Sequence, residues 1–404
     1  MRRVVVTGYG LVSPLGSDPE AMWRSVLNKE NAVVTMPEFA EIGDLETRIG
    51  APVRGFVPDR IPRKIRRSMS RMSQYATAAT TDALAAARFP MEELAGGRVA
   101  IAAGSTTGST DAMDEFWREF IATKSIRGIQ STAFLKVMSH TVSSHLALAF
   151  GVTGPVHAPC CACAVSNQAV GVGLDLIRLN RADAVIAGGA DELGVLAAAT
   201  FDVVRAGCRG WGDSPTLRPA PFDRTRDGVV CAEGSAIVIL EERERAIARG
   251  APILCEILGY GESCDANHMS APEPTGMRNA ILRALEDAKL PASAVDYICA
   301  HATGTVLGDQ AEAAATFDIF GGNVPVASLK GNFGHMLAAC GTTELIACIL
   351  GMRDGIVPPT TNLVDPDVAP ILLPTRPLQR EQRVIMSNNF AFGGINASLV
   401  IGRG

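Results

Sequence analysis

The chain is expected to be an α/β protein, on three observations. Short β-branched runs alternate with longer stretches of helical periodicity, the pattern of a sheet covered by helices. With 47% apolar against 20% charged residues, 404 residues can bury the core of two domains or of one large fused unit. The third observation is an internal echo. GPVHAPCCACAVSNQAVGVGLDLI from Gly154 and VPVASLKGNFGHMLAACGTTELIACIL from Val324 both run strand, small-residue loop, helix. The pattern restarts after the charged link EERERAIARGAP, so the boundary falls near 245–252 and divides the chain into residues 1–250 and 251–404.

In chain order, VVVTG from Val4 is a strand and QYATAATTDALAAAR from Gln74 a helix. RVAIAAG from Arg98, DAVIAGGA from Asp183 and SAIVILEE from Ser235 are strands, as β-branched apolar runs bounded by turn residues. After Cys163 the chain turns helical, with Ala169, Val172, Leu176 and Leu179 close to one face. Beyond the boundary, ILCEILGYG from Ile253 is a strand, TGMRNAILRALEDAKL from Thr275 a helix, and DYICAHATGT from Asp296 a strand ending in a loop. The N-terminal TGYGLVSPLG looks like half of a dinucleotide fingerprint. It reads GxGxxS, and no amphipathic helix follows at once, so NAD binding is not expected.

Several function classes are set aside by composition. A net charge of −5 disfavours nucleic-acid binding. No run approaches the roughly 18 continuous apolar residues of a membrane span, and the valine run in MRRVVVTGYG is too short for a signal peptide. Ten cysteines without a secretion signal are expected to be reduced thiols, in a cytoplasmic protein.

The chemistry concentrates on Cys163, His301 and His335. Cys163 lies in HAPCCACAVSN at a strand-to-helix turn, His301 in AHATGTVLGD and His335 in SLKGNFGHMLAACG. Thiolates attack carbonyls, and a helix N-terminus stabilises the anion, so a thiol there with two imidazoles points to acyl-thioester chemistry. A zinc site from Cys160, Cys161, Cys163 and His157 lacks a second ligand pair, and no metal is expected. Cys160 and Cys161 are expected to be small buried hydrophobes, and His140, His145, His157 and His268 structural or surface residues. The basic run RIPRKIRRSMSR, with Lys124 and Arg127, is a solvated face or a steering surface for an acidic protein partner.

At these residues the chain resembles the thiolase-fold β-ketoacyl-acyl carrier protein synthases of the elongating type. The resemblance runs from VVVTGYGLVSPLG to FAFGGINASLV, through CACAVS, PFDRTRDGVVCAEG, HATGTVLGD, KGNFGH and NNFAFGG in order. It implies five-layered α-β-α-β-α subunits built from two duplicated halves. They would pair as a homodimer, or as a heterodimer with a ketosynthase-like subunit. It implies a Cys-His-His site of Cys163, His301 and His335 that takes an acyl group from acyl carrier protein. Malonyl-carrier protein then loses carbon dioxide and extends that group. No cofactor is implied beyond the phosphopantetheine of the carrier protein.

The resemblance also assigns supporting roles. Backbone N–H groups of Cys163 and Phe392 would form the oxyanion hole for acyl transfer. Lys330 would orient the site with Glu344 as its buried partner, and Asp309 would brace its loop. Thr303 and Thr305 would hold the pantetheine arm. Phe390 and Val229 would line the substrate site, and Thr107 would limit acyl length across the dimer face. Carrier protein would dock on Arg63, Lys64, Arg66, Arg67, Lys124 and Arg127. Three positions depart from the family pattern: Cys161 for serine or threonine, Phe333 for threonine, and Val229 for phenylalanine. All three are expected near the active centre, so a reshaped pocket and a specialised polyketide or polyene pathway stand beside fatty acid synthesis. A non-catalytic chain-length partner is the alternative, which the intact Cys163, His301 and His335 argue against. Thiolase-like and starter-unit enzymes are disfavoured by the lack of a cysteine in NNFAFGGIN and by His335 in place of asparagine.

Overall fold

Glycines in two strands set the spacing of the whole molecule, whose computed structural model describes residues 1–209 and 218–404. Ten strands form the main sheet system among those residues. The first five are β1 (Val4–Val12), β2 (Val99–Gly104), β3 (Val156–His157), β4 (Ala184–Asp191) and β5 (Gly234–Glu242). The second five are β6 (Cys255–Cys264), β7 (Tyr297–Cys299), β8 (Val326–Ala327), β9 (Val384–Ala391) and β10 (Ile395–Gly402). Hydrogen bonding orders them β8-β7-β9-β10-β6-β1-β5-β4-β2-β3. Each set therefore runs third, second, fourth, fifth, first. Parallel and antiparallel pairings match as well: β2 with β3 and β4, and β7 with β8 and β9, are parallel, and the rest are antiparallel. The two sets meet where Val4, Val5 and Val6 pair with Ile257, Glu256 and Cys255.

Helices fill three layers around these sheets. α1 (Arg71–Ala86) covers the outer face of the first sheet, and α3 (Pro274–Ala288) and α4 (Val306–Phe320) cover that of the second. α2 (Val165–Arg178) and α5 (Cys340–Asp354) lie between the sheets in the largest core. Strand alternation divides the cores. On β5, Ala236, Val238 and Leu240 face the middle, and Ile237 and Ile239 face α1. With both faces covered, these strands are apolar throughout, which is why they stand out in the sequence. Every residue of α5 from Cys340 to Met352 is buried, so this helix has no polar face. The result is a five-layered α-β-α-β-α fold.

The TGYG segment belongs to β1 and serves packing. A Cβ on Gly8 would lie 2.3 Å from the Ala83 carbonyl oxygen, and one on Gly10 would lie 2.2 Å from that of Ala79, both in α1. The second sheet repeats the device. Gly259 and Gly261 on β6 would meet the Ala284 and Ala280 oxygens of α3 at 2.4 and 2.2 Å. The same Gly-Tyr-Gly triplet thus seats one outer helix on each sheet.

In DYICAHATGT the strand Tyr297–Cys299 ends in a loop, as expected, and that loop turns its backbone N–H groups toward acidic side chains of α4. One difference from the sequence reading stands out. The motif NNFAFGGIN is the hairpin between two eight-residue strands, β9 and β10, which periodicity did not reveal. No helix among the described residues is long and apolar enough to cross a membrane.

Candidate active site

Two turns of matching shape carry the thiol and one imidazole to the centre of the fold. Cys163 sits in the short turn Ala162–Ala164 that leads into α2, and Ala162 adopts a left-handed φ of +48°. His335 precedes the turn Leu337–Ala339 that leads into α5, and Leu337 has a φ of +51°. The His335 backbone is pinned through its N–H to Val230 and its carbonyl to Ala232, at 2.8 and 2.9 Å. His301 follows β7, where its N–H and that of Ala302 donate to the Glu312 carboxyl of α4 at 2.9 and 2.7 Å. Asp191, at the end of β4, ties the loop after β2 to the turn before α5. It accepts from the Ser105 hydroxyl, from the Thr106 N–H at 3.1 Å and from the Ala338 N–H at 2.8 Å.

The reactive atoms of Cys163, His301 and His335 lie within 4.8 Å of one another. His335 Nε2 is 2.9 Å from the Cys163 Sγ. On the other side of that ring, Nδ1 accepts the Leu337 N–H at 3.2 Å, so the ring proton resides on Nε2 and points at the sulfur. The His301 ring has its Nδ1 3.4 Å from the Asn389 Nδ2. That amide is oriented by donating to Glu344 Oε2 and to the Asn388 carbonyl, both at 2.8 Å. Both imidazoles are held well below their usual range, first by burial and then by the Lys330 charge. They stay neutral, and His335 presents its N–H to the centre. Lys330 forms a fully buried ion pair with Glu344 and is held charged by it.

The thiol itself corrects the sequence reading. A helix-start cysteine is expected to ionise, yet burial pushes the Cys163 thiol up to about 12. Lys330 and the backbone N–H groups of Phe392 and Cys163 pull in the opposite direction without overcoming burial. The sulfur is therefore neutral in the free protein. Those two N–H groups nevertheless converge on it, as an oxyanion hole for acyl transfer requires.

A cavity with about 1030 Å³ of empty space, part of it open to solvent, reaches Cys163, His301 and His335. Thr303, Thr305, Val229, Phe390 and Phe392 line it, and the two threonine hydroxyls are 3.1 Å apart. Thr107 is not among the lining residues. Of the three departures from the family pattern, only Val229 reaches the cavity. Phe333 is fully buried in the central core, and Cys161 packs with Ala164, Val165 and Ala338, so the expectation that all three reshape the pocket is corrected. His268, read as a structural or surface residue, lines the cavity and is exposed.

A family model for the β-ketoacyl synthase N-terminal domain matches residues 1–246, and one for its C-terminal domain matches residues 254–364. The chain belongs to the β-ketoacyl synthase family. It is 36% identical to nodulation protein E of Rhizobium leguminosarum bv. trifolii, with 98% of each chain covered. It is 32% identical to 3-oxoacyl-[acyl-carrier-protein] synthase 1 of Haemophilus influenzae, covering 100% of this chain and 99% of that one. Among solved structures, a β-ketoacyl synthase from Burkholderia phymatum superimposes with a TM-score of 0.96 at 40% identity over the full length of both chains. The ishigamide ketosynthase/chain length factor gives 0.91 at 31% identity, covering 100% of this chain and 99% of that one.

In this β-ketoacyl synthase the structure adds residues that sequence reasoning missed. Glu312 holds the His301 loop, and burial pushes its carboxyl up to about 8 although the two N–H donors pull it down. Asn389 joins Glu344 to His301. Phe201 packs against both His335 and Phe392, with ring centroids 6.3 and 5.6 Å away. The NNF motif was a usable signal for Asn389, but nothing local marks Phe201. Asp309 accepts the N–H groups of Phe222 and Gly304 at 2.7 and 3.1 Å, which braces the loop. Of the basic residues, Arg63, Lys64, Arg67, Lys124 and Arg127 are exposed, and Arg66 is half-buried and donates to the Pro58 carbonyl at 2.9 Å. Cys160, expected to be buried, is exposed.

Proposed function

We propose that this β-ketoacyl synthase joins an acyl group carried on Cys163 to malonyl-acyl carrier protein, giving 3-oxoacyl-acyl carrier protein and carbon dioxide. The observation that carries the residue roles is the pair of neutral imidazoles beside one sulfur. In the first half-reaction, Sγ of Cys163 attacks the carbonyl of an acyl thioester. The oxyanion rests on the N–H groups of Cys163 and Phe392, the carrier thiolate leaves, and the thiol proton ends on that leaving sulfur. In the second, His301 and His335 donate to the malonyl thioester oxygen, where negative charge collects as the carboxylate departs as carbon dioxide. The enolate carbon then attacks the acyl-cysteine carbonyl and releases the Cys163 thiolate, which takes a proton from solvent to restore the neutral thiol. The Lys330 charge helps to keep the imidazoles neutral, with Glu344 as its buried partner. Thr303 and Thr305 hold the pantetheine arm, Phe390 and Val229 bound the substrate, and Thr107 acts across a dimer face.

Several assignments go with this reading. The halves divide at 250/251, the site uses no cofactor of its own, and the protein works in the cytoplasm. Its product enters fatty acid or specialised polyketide or polyene synthesis. Likeness to the ishigamide ketosynthase/chain length factor supports pairing with a second ketosynthase-like subunit as an alternative to self-pairing. In such a pair the intact Cys163, His301 and His335 make this chain the catalytic member.

The deciding experiment is mass spectrometry after incubation with acyl-carrier protein. The native protein should gain the acyl mass on Cys163, and Cys163→Ala should gain none, lose condensation altogether and still decarboxylate malonyl thioester. Elongation by the alanine variant would reassign the nucleophile. Charge reversal at Arg63 and Arg66 should raise the KM for carrier protein with kcat preserved, and an unchanged KM would return that basic run to plain surface.

A further inference from the structure

Beyond Cys163, a second thiol touches the active imidazoles. Cys340 is the first residue of α5 and is fully buried, with its Sγ 3.0 Å from Nδ1 of His335. That same nitrogen accepts the Leu337 N–H at 3.2 Å. A backbone N–H can only donate, so Nδ1 presents a lone pair, and the Cys340 thiol can meet it only as an S–H donor. We infer that Cys340 is a positioning residue whose S–H, together with the Leu337 N–H, locks His335 in its Nε2–H tautomer and sharpens that N–H as a donor. The inference rests on the reading above, in which His335 donates to the thioester oxygen.

Two further observations support it. A donor on Nδ1 draws electron density from the ring and makes Nε2–H the stronger donor to a developing oxyanion. The thiol keeps its proton, since burial and the nearby Glu344 carboxylate outweigh Lys330 and hold it well above the usual thiol range. Finally, the turn does not require sulfur at this place. The first residue of α2, in the matching turn, is Val165, which packs in an apolar cluster.

The test compares Cys340→Ala and Cys340→Ser with the native protein, using malonyl-carrier protein decarboxylation and acyl capture on Cys163 as separate readouts. Cys340→Ala should slow decarboxylation about five- to tenfold, the worth of one neutral hydrogen bond, with acyl capture unchanged. Its acid limb in the rate–pH profile should move to higher pH, because losing a donor makes the ring more basic. Cys340→Ser, which keeps a donor, should recover most of the rate. Native-like rates in Cys340→Ala, or equal losses in both variants, would overturn the inference. If Cys340→Ala does not fold, the nitrogen-15 resonances of His335 in the native protein and in Cys340→Ser decide. A protonated Nδ1, or an Nδ1 resonance unchanged between the native protein and Cys340→Ser, overturns the inference, and an unprotonated Nδ1 whose resonance shifts in Cys340→Ser supports it. A native protein that captures acyl groups but cannot decarboxylate malonyl thioester would instead overturn the assigned role of His335.

Discussion

The turn that carries Cys163 and the turn that follows His335 share one backbone and have diverged in what they display. Each opens on a left-handed non-glycine residue, Ala162 or Leu337, and each feeds a helix buried between the sheets. A positive φ at such residues is strained and persists only where surrounding structure enforces it. Aligned by their helix starts, Val165 and Cys340, the turns pair Cys163 with Ala338 and Cys160 with His335. The first turn uses its second residue as the nucleophile and leaves Cys160 exposed. The second has alanine at that place and carries a buried imidazole two residues ahead of the turn. One backbone device, used twice, therefore aims two different groups at the same point, and the chemistry comes from the mismatch between them.

That comparison can be broken at decreasing cost to the protein. His335→Ala should lower decarboxylation about 100- to 1000-fold, as loss of an oxyanion donor does. Acyl transfer to Cys163, followed by rapid-quench mass spectrometry, should fall much less, and equal loss of both would erase the division between the turns. The packing glycines test the likeness of the two sheets. Gly8→Ala and Gly259→Ala each push a methyl group against a helix carbonyl and should cost about 1–3 kcal/mol by denaturant unfolding. A neutral result in one alone would mean the two outer helices are held differently. The mildest test concerns the sulfur. With the thiol pushed up to about 12, it is neutral below that pH, and its thiolate fraction grows as pH rises. Alkylation of Cys163 by iodoacetamide should therefore climb about tenfold per pH unit between about 7 and 9 without a plateau. A plateau near neutrality would show that the helix start does ionise the sulfur.

Much of this was legible in the sequence because burial on both faces writes long apolar runs. β1, β4 and β5 were found that way, as was the helical stretch after Cys163. The hairpin β9–β10 was not, since Ser387, Asn388 and Asn389, buried in β9, interrupt its apolar pattern and the two glycines read as loop. The three reactive residues were legible because each sits in a run of small residues at a strand or helix end. Their protonation was not, because burial and the Lys330–Glu344 pair belong to the tertiary structure. The same limit applies to Phe333, Cys340 and Glu312. Two residues from the second histidine, Phe333 points into the core, while Glu312, eleven residues past the first, reaches back to hold it.

Asp191 gives this arrangement a practical boundary. One carboxyl group grips the loop after β2 with two of its bonds and the turn before α5 with another. Chimaeras that exchange whole halves between related synthases will inherit this clasp only if both ends of it match. A graft must therefore carry the end of β4, Ser105–Thr106 and the Ala338 turn as one cassette, or the turn before α5 will lose its registration against the loop after β2 even where both parent halves fold.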